Sequence, residues 1–145
     1  MKTLLLHRAL GVLTLLLFAI PALAQTPVGV WRTIDEQTNE AKSLVRIFEE
    51  GGKLVGEIQT LLPEGRMCDA CVEPYQGTDA RGTRILRGFT RNGDTWRGGR
   101  ILNIADGKDY KAKMKVQDDG TLRVWGYVGL DTPLTRRAQI WERVQ

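Results

Sequence analysis

Tyr110-Lys111-Ala112-Lys113-Met114-Lys115-Val116 puts a lysine at every second position and Tyr, Ala, Met and Val at the others. A period of two belongs to a β-strand with one wet face and one buried face. The lysine row is expected to be a solvated outer face, as such rows are on exposed strands. It also argues against a barrel set in a bilayer, where each lysine facing lipid would cost about 2–4 kcal/mol near the midplane. The chain also ends in Val144-Gln145 rather than in an aromatic residue.

Working outward from this strand, short runs of β-formers alternate with turn signals. Glu50-Gly51-Gly52, Arg91-Asn92-Gly93-Asp94, Ala105-Asp106-Gly107 and Asp118-Asp119-Gly120 each place glycine where a hairpin needs positive φ. The pattern predicts eight strands, at 28–35, 43–50, 53–62, 84–91, 94–102, 108–117, 121–129 and 136–144. Tight hairpins join neighbours antiparallel, so an up-and-down meander follows. Asp35 to Glu40 is polar and reads as the first turn, and no segment calls for a helix. Gly56, Gly88, Gly98, Gly99 and Gly126 fall inside strands, where glycine allows sharp coiling or close approach of another chain segment. They favour a closed, strongly curved sheet over a flat sandwich. The expected fold is all-β, a single eight-stranded antiparallel up-and-down barrel.

The chain has 145 residues, of which the first 24 read as a secretory signal peptide. Lys2 and Arg8 open it, an apolar run spans Ala9 to Ile20, and Ala22-Leu23-Ala24 supplies the small residues of a cleavage site before Gln25. The run is too short for a comfortable membrane span. Residues 25–145 then form one domain, exported to the periplasm or beyond. Losing Lys2 and Arg8 lowers the formal charge of +4 by two, so nucleic acid is not an expected partner. The single histidine, His7, leaves with the leader, and Ser43 is the one serine beyond it. That excludes a Ser-His-Asp triad, a Cys-His pair and any histidine metal site. Carboxylate-only chemistry stays open in principle, but nothing singles out two of the 17 acids for it. The expected protein is therefore not an enzyme, with no catalytic residues, no metal and no cofactor.

Several stretches carry a resemblance. They are Gly29-Val30-Trp31-Arg32-Thr33-Ile34-Asp35, Lys42-Ser43-Leu44-Val45-Arg46-Ile47, Cys68-Asp69-Ala70-Cys71, Trp96-Arg97-Gly98-Gly99 and Gly126-Tyr127-Val128-Gly129. Together they resemble the domain-of-unknown-function 2147 family of exported bacterial proteins, along the whole chain after the leader. The resemblance implies a lipocalin-like, calycin-like barrel and brings no activity or catalytic residue with it. Arg87 stands where that family more often has an apolar residue, which puts an inward orientation there in doubt. The ends fit the same picture. Gly29-Val30-Trp31 on the first strand and Trp141-Glu142-Arg143 on the last look like the closing latch of lipocalin-type barrels, a cation stacked on a tryptophan. Arg143 is the first candidate for Trp31's partner and Arg137 the second; Trp31 as an ordinary core residue is the alternative.

The one long connection, Pro63 to Thr83, holds both cysteines. Loops of this length are usually functional or pinned. In an oxidising compartment Cys68 and Cys71 are expected to form a disulfide. A redox pair and a Cu(I) site with Met67 remain open, whereas covalent haem fails because Val72 stands where histidine is required. A small barrel can fill itself with side chains or hold one small ligand. Its expected interior draws on Trp31, Val45, Ile47, Ile58, Ile85, Phe89, Tyr110, Ala112, Met114 and Val124, with Trp31, Ile47, Ile58, Phe89, Tyr110 and Met114 as the ligand-lining set. Arg84, Arg87, Arg91, Arg97 and Arg100 crowd together and suggest an anion-attracting rim, the alternative being a solvated hairpin surface. The leading expectation is an exported binding protein for a small lipophilic or amphiphilic molecule. The alternatives are an envelope-protein interaction module acting through the Cys68–Cys71 loop, and a thiol or copper function of that loop.

Overall fold

The computed structural model describes residues 26–144, so the leader reading of residues 1–24 and the cut after Ala24 lie outside the described residues. Eight strands follow one another: β1 (Gly29–Ile34), β2 (Ala41–Glu50), β3 (Lys53–Leu61), β4 (Arg84–Asn92), β5 (Thr95–Asn103), β6 (Lys108–Val116), β7 (Leu122–Tyr127) and β8 (Arg136–Arg143). Each pairs antiparallel with the next, and β8 returns to β1, closing the barrel. The expected meander is present, with strand ends shifted by no more than about two residues.

Alternation in β6 turns Ala112 and Met114 into the barrel, both fully buried, and leaves Lys111 exposed. Lys113 departs from the expected wet row. It is buried on the outer wall, with its ammonium 5.1 Å from the Trp125 ring centre and paired with Asp131 of the β7–β8 loop. A strand's own pattern cannot reveal a loop that folds back over it.

Two glycines reset the alternation. Gly88 and Gly98 have φ of 76° and 72°, a region costly for other residues. Each lets its strand slip one position, so Arg87 and Thr90, three apart, both face out, and so do their partners Arg100 and Arg97. Arg87 accordingly points to solvent and pairs with Asp109 at 2.6 Å. Gly99 does different work: a Cβ there would run into the Phe89 ring, which lies across it fully buried. Gly56 makes similar room for Leu86, whose Cδ1 would stand 2.9 Å from an added Cβ.

The β2–β3, β4–β5 and β6–β7 turns, with the start of β1 and the end of β8, gather at one end of the barrel. There Trp31 sits completely buried with its ring NH donating to Pro27 O at 2.7 Å. Trp31 and Arg143 are register partners across the closing seam, and the guanidinium lies 4.1 Å above the ring centre. The same guanidinium donates to Val28 O at 3.1 Å and Thr26 O at 2.7 Å. Burial over the ring pulls its pKa down, although a guanidinium keeps its charge at any ordinary pH. Arg137, the second candidate, pairs with Gly126 near the opposite end and cannot reach Trp31's seam position.

Candidate functional site

Inward positions near the closed end carry Trp31, Ile47, Leu54, Leu86, Phe89 and Met114, all essentially inaccessible. Side chains of that size, each worth about 1.5–3 kcal/mol when buried, fill the tapering half of a small barrel. The other half is hollow. A cavity of about 850 Å³ opens between the 35–40, 62–83, 104–107 and 128–135 connections. That volume lies within the range of about 300–1,000 Å³ typical of small-molecule sites.

Its apolar walls come from Ile58, Leu61, Ile85, Ile101, Val124 and Trp141. Polar groups are few and placed. Thr33 and Ser43, buried neighbours on β1 and β2, bond hydroxyl to hydroxyl at 2.7 Å. On β8, Arg137, Gln139 and Trp141 share the inward row, because their register partners Gly126, Val124 and Leu122 do. The Trp141 ring NH donates to Gln139 Oε1 at 3.1 Å, so the Gln139 amide NH₂ is left to face the cavity as a donor. Tyr110 donates its hydroxyl to Asp106 Oδ2 at 2.8 Å. That bond, then burial and the Asp106 charge, raise the phenol's pKa, and the nearby Arg137 charge opposes them. Gly126 keeps the chamber open, since an added Cβ would point at Ile101 Cγ2, 3.4 Å away, and Tyr110 Cβ, 3.7 Å away.

The long loop is one wall of this chamber. Cys68 and Cys71 are joined as a disulfide. Neither sulfur is a free thiol in this form of the loop. Met67, Cys68, Asp69, Ala70 and Cys71 all face the cavity. Cys68 N donates to Thr78 O at 2.8 Å, which closes the loop on itself, and Val72 N donates to Ile104 O at 3.1 Å, which ties it to the β5–β6 turn.

The structure thus divides the expected lining set. Ile58 and Tyr110 line the cavity, whereas Trp31, Ile47, Phe89 and Met114 belong to the packed half and touch none of it. The arginine rim is not assembled. None of Arg84, Arg87, Arg91, Arg97 and Arg100 lines the cavity. Arg84 bridges Glu50 and Glu57, Arg87 and Arg100 share Asp109, and Arg91 Nε donates to Gly93 O at the β4–β5 turn. The slips at Gly88 and Gly98 send Arg87, Arg97 and Arg100 to the outer wall, where carboxylates already occupy three of the five. What the sequence reading missed is the β8 row. Arg137, Gln139 and Trp141 stand at alternate positions, and Trp141 marks that row as inward.

The comparisons agree with this architecture. Among solved structures the chain is similar to protein HP1028 from the human pathogen Helicobacter pylori, described as belonging to the lipocalin family. The TM-score is 0.65 at 18% sequence identity, covering 81% of this chain and 82% of that one. At that identity the likeness speaks for the fold alone. The curated proteins yield no match. A family model described as an uncharacterized protein conserved in bacteria (DUF2147) matches residues 29–143, nearly the whole described chain. The chain belongs to the DUF2147 family, on a closed eight-stranded barrel like that of the lipocalins.

Proposed function

We propose that this protein is an exported, non-catalytic binding protein that holds a small lipophilic or amphiphilic molecule in the open half of its barrel. The observation that carries the reading is the chamber itself, about 850 Å³ with isoleucine, leucine, valine and tryptophan walls and a few aimed polar groups. Apolar walls wetted by solvent release free energy, roughly 25 cal/mol per Å², when a ligand covers them. Export is supported by the leader pattern of residues 1–24 and by the Cys68–Cys71 disulfide, since such bonds persist in oxidising compartments. In this reading the cysteine loop serves as the chamber's side wall.

Native mass spectrometry of the protein purified from its own host tests the proposal, with the Gly126→Leu variant beside it. Leucine at 126 grows from a position already in contact with Ile101 and fills the chamber from within. A small-molecule adduct on the wild type that disappears in Gly126→Leu is the expected result. Absence of any adduct on the wild type, or an adduct indifferent to the substitution, refutes it.

A further inference from the structure

Of the cationic groups that line the chamber, one has no bonded partner among the described residues, and it points to a class of ligand. Lys42 is held by Asp35 at 3.0 Å, and Asp106 accepts from Lys108 N and from Tyr110, both at 2.8 Å. Arg66 Nη1 donates to Leu62 O at 3.4 Å, and Asp69, on the same cysteine loop at the mouth, carries the opposite charge. Arg137 stands apart. Among the described residues it makes no ion pair and no hydrogen bond, although ten ion pairs satisfy other cations of this barrel. Its register partner is Gly126, so no cross-strand side chain crowds the guanidinium. Two residues along the same row, about 7 Å deeper, Gln139 presents its NH₂. The walls beside them are apolar: Val124, the register partner of Gln139, with Ile58 and Ile101.

We propose that Arg137 is the head-group subsite of the chamber and selects single-chain amphiphiles with an anionic head, a carboxylate or a phosphate. This rests on the binding reading above and deepens it. The guanidinium fork matches the paired oxygens of either head, Gln139 adds a donor, and the apolar walls take the tail. The site therefore lies on β8 inside the barrel mouth, not on the β4–β5 hairpin where the arginines crowd.

Isothermal titration of the disulfide-intact protein with dodecanoate, dodecyl phosphate and dodecyltrimethylammonium, each kept below its micelle concentration, decides the matter. The three share a tail and differ in the head. The wild type should bind one or both anions and bind the cation far more weakly; the tighter anion names the head. Arg137→Gln should weaken anion binding about 10- to 100-fold, the worth of a charge-assisted hydrogen bond. Arg137→Glu should bind dodecyltrimethylammonium more tightly than the wild type does. Arg137 is exposed on its strand, so the variants should keep the wild-type melting temperature. Equal binding of anion and cation by the wild type overturns the head-group subsite, as does unchanged anion affinity in Arg137→Gln. If Gly126→Leu abolishes binding in that case, the chamber reading stands alone. A wild type that binds none of the three overturns the head-group subsite, while the chamber reading is then decided by the presence or absence of an adduct in native mass spectrometry.

Discussion

Replacing Arg143 with methionine should destabilise the barrel by about 3 kcal/mol. The figure follows from what the guanidinium touches. Stacking 4.1 Å above the fully buried Trp31 ring is worth about 1–2 kcal/mol where water is partly excluded. Its bonds to Val28 O and Thr26 O tie the N-terminal segment across the barrel floor, and hydrogen bonds to a charged group contribute about 1.5 kcal/mol each at the low end. The three contributions share one side chain and do not add in full. Methionine keeps the apolar stem, so the loss isolates charge and donors. Arg143→Lys should lose roughly half as much, because one ammonium keeps a charge but not the fork that reaches both carbonyls. Urea unfolding followed by tryptophan fluorescence measures the difference. A melting experiment should show a fall of about 10 °C for a chain of this size. Native-state hydrogen exchange gives the local readout: the Val144 amide, which donates to Val30 O at 2.8 Å beside the latch, should exchange faster. A loss below about 0.5 kcal/mol in Arg143→Met, in the range of an ordinary surface substitution, would refute the latch.

Gly99→Ala should cost about 2–3 kcal/mol, because its methyl meets a Phe89 ring that has no space to retreat. Adding Phe89→Leu should recover part of that loss in a double-mutant cycle, and strictly additive effects would contradict the close approach. Acid unfolding should reveal Asp35. Its bonds from Lys42 and from the Thr38 and Gln37 amides hold the carboxyl down at about 2, below its unfolded value, so it stabilises the folded chain above roughly pH 4 and loses that contribution as pH falls toward 2. Asp35→Asn should flatten the stability profile across that window, and an unchanged slope would count against the pairing.

How much of this was legible in the sequence depended on whether the signal was local. The Tyr110–Val116 row and the glycine turns are local, and they suffice for eight antiparallel strands. The latch was legible because Trp31 and Arg143 mark the two ends of a meander that has to meet itself. The arginine rim failed for a reason visible in the spacing. Arg84 and Arg87, and again Arg97 and Arg100, stand three apart, which an unbroken strand would put on opposite faces. The register shift opposite Gly56 and Glu57 decides the first pair and the slip at Gly98 the second, and a positive φ is written in a glycine's permission, not in its requirement. Lys113 was misplaced because its cover, Asp131, arrives from a loop whose path is tertiary. Arg137 was the second candidate for the latch because it too is a cation on the last strand, and only its register with Gly126 puts it at the far end.

The division of the barrel into a packed half and a hollow half has a physical rationale. Core burial is the main source of stability in a domain of this size, and the packed half supplies it. Concentrating Trp31, Phe89, Leu86 and Met114 at the end where the first and last strands are latched lets the far end forgo packing. Substitutions at the closed end should then move the melting temperature and leave occupancy alone, while Arg137 and Gly126 govern occupancy. Trp141 belongs to both halves. It is buried in the core cluster, lines the chamber floor and fixes Gln139 through its ring NH. A ligand pressing on that floor therefore meets a side chain through which filling the chamber can stiffen the closed end.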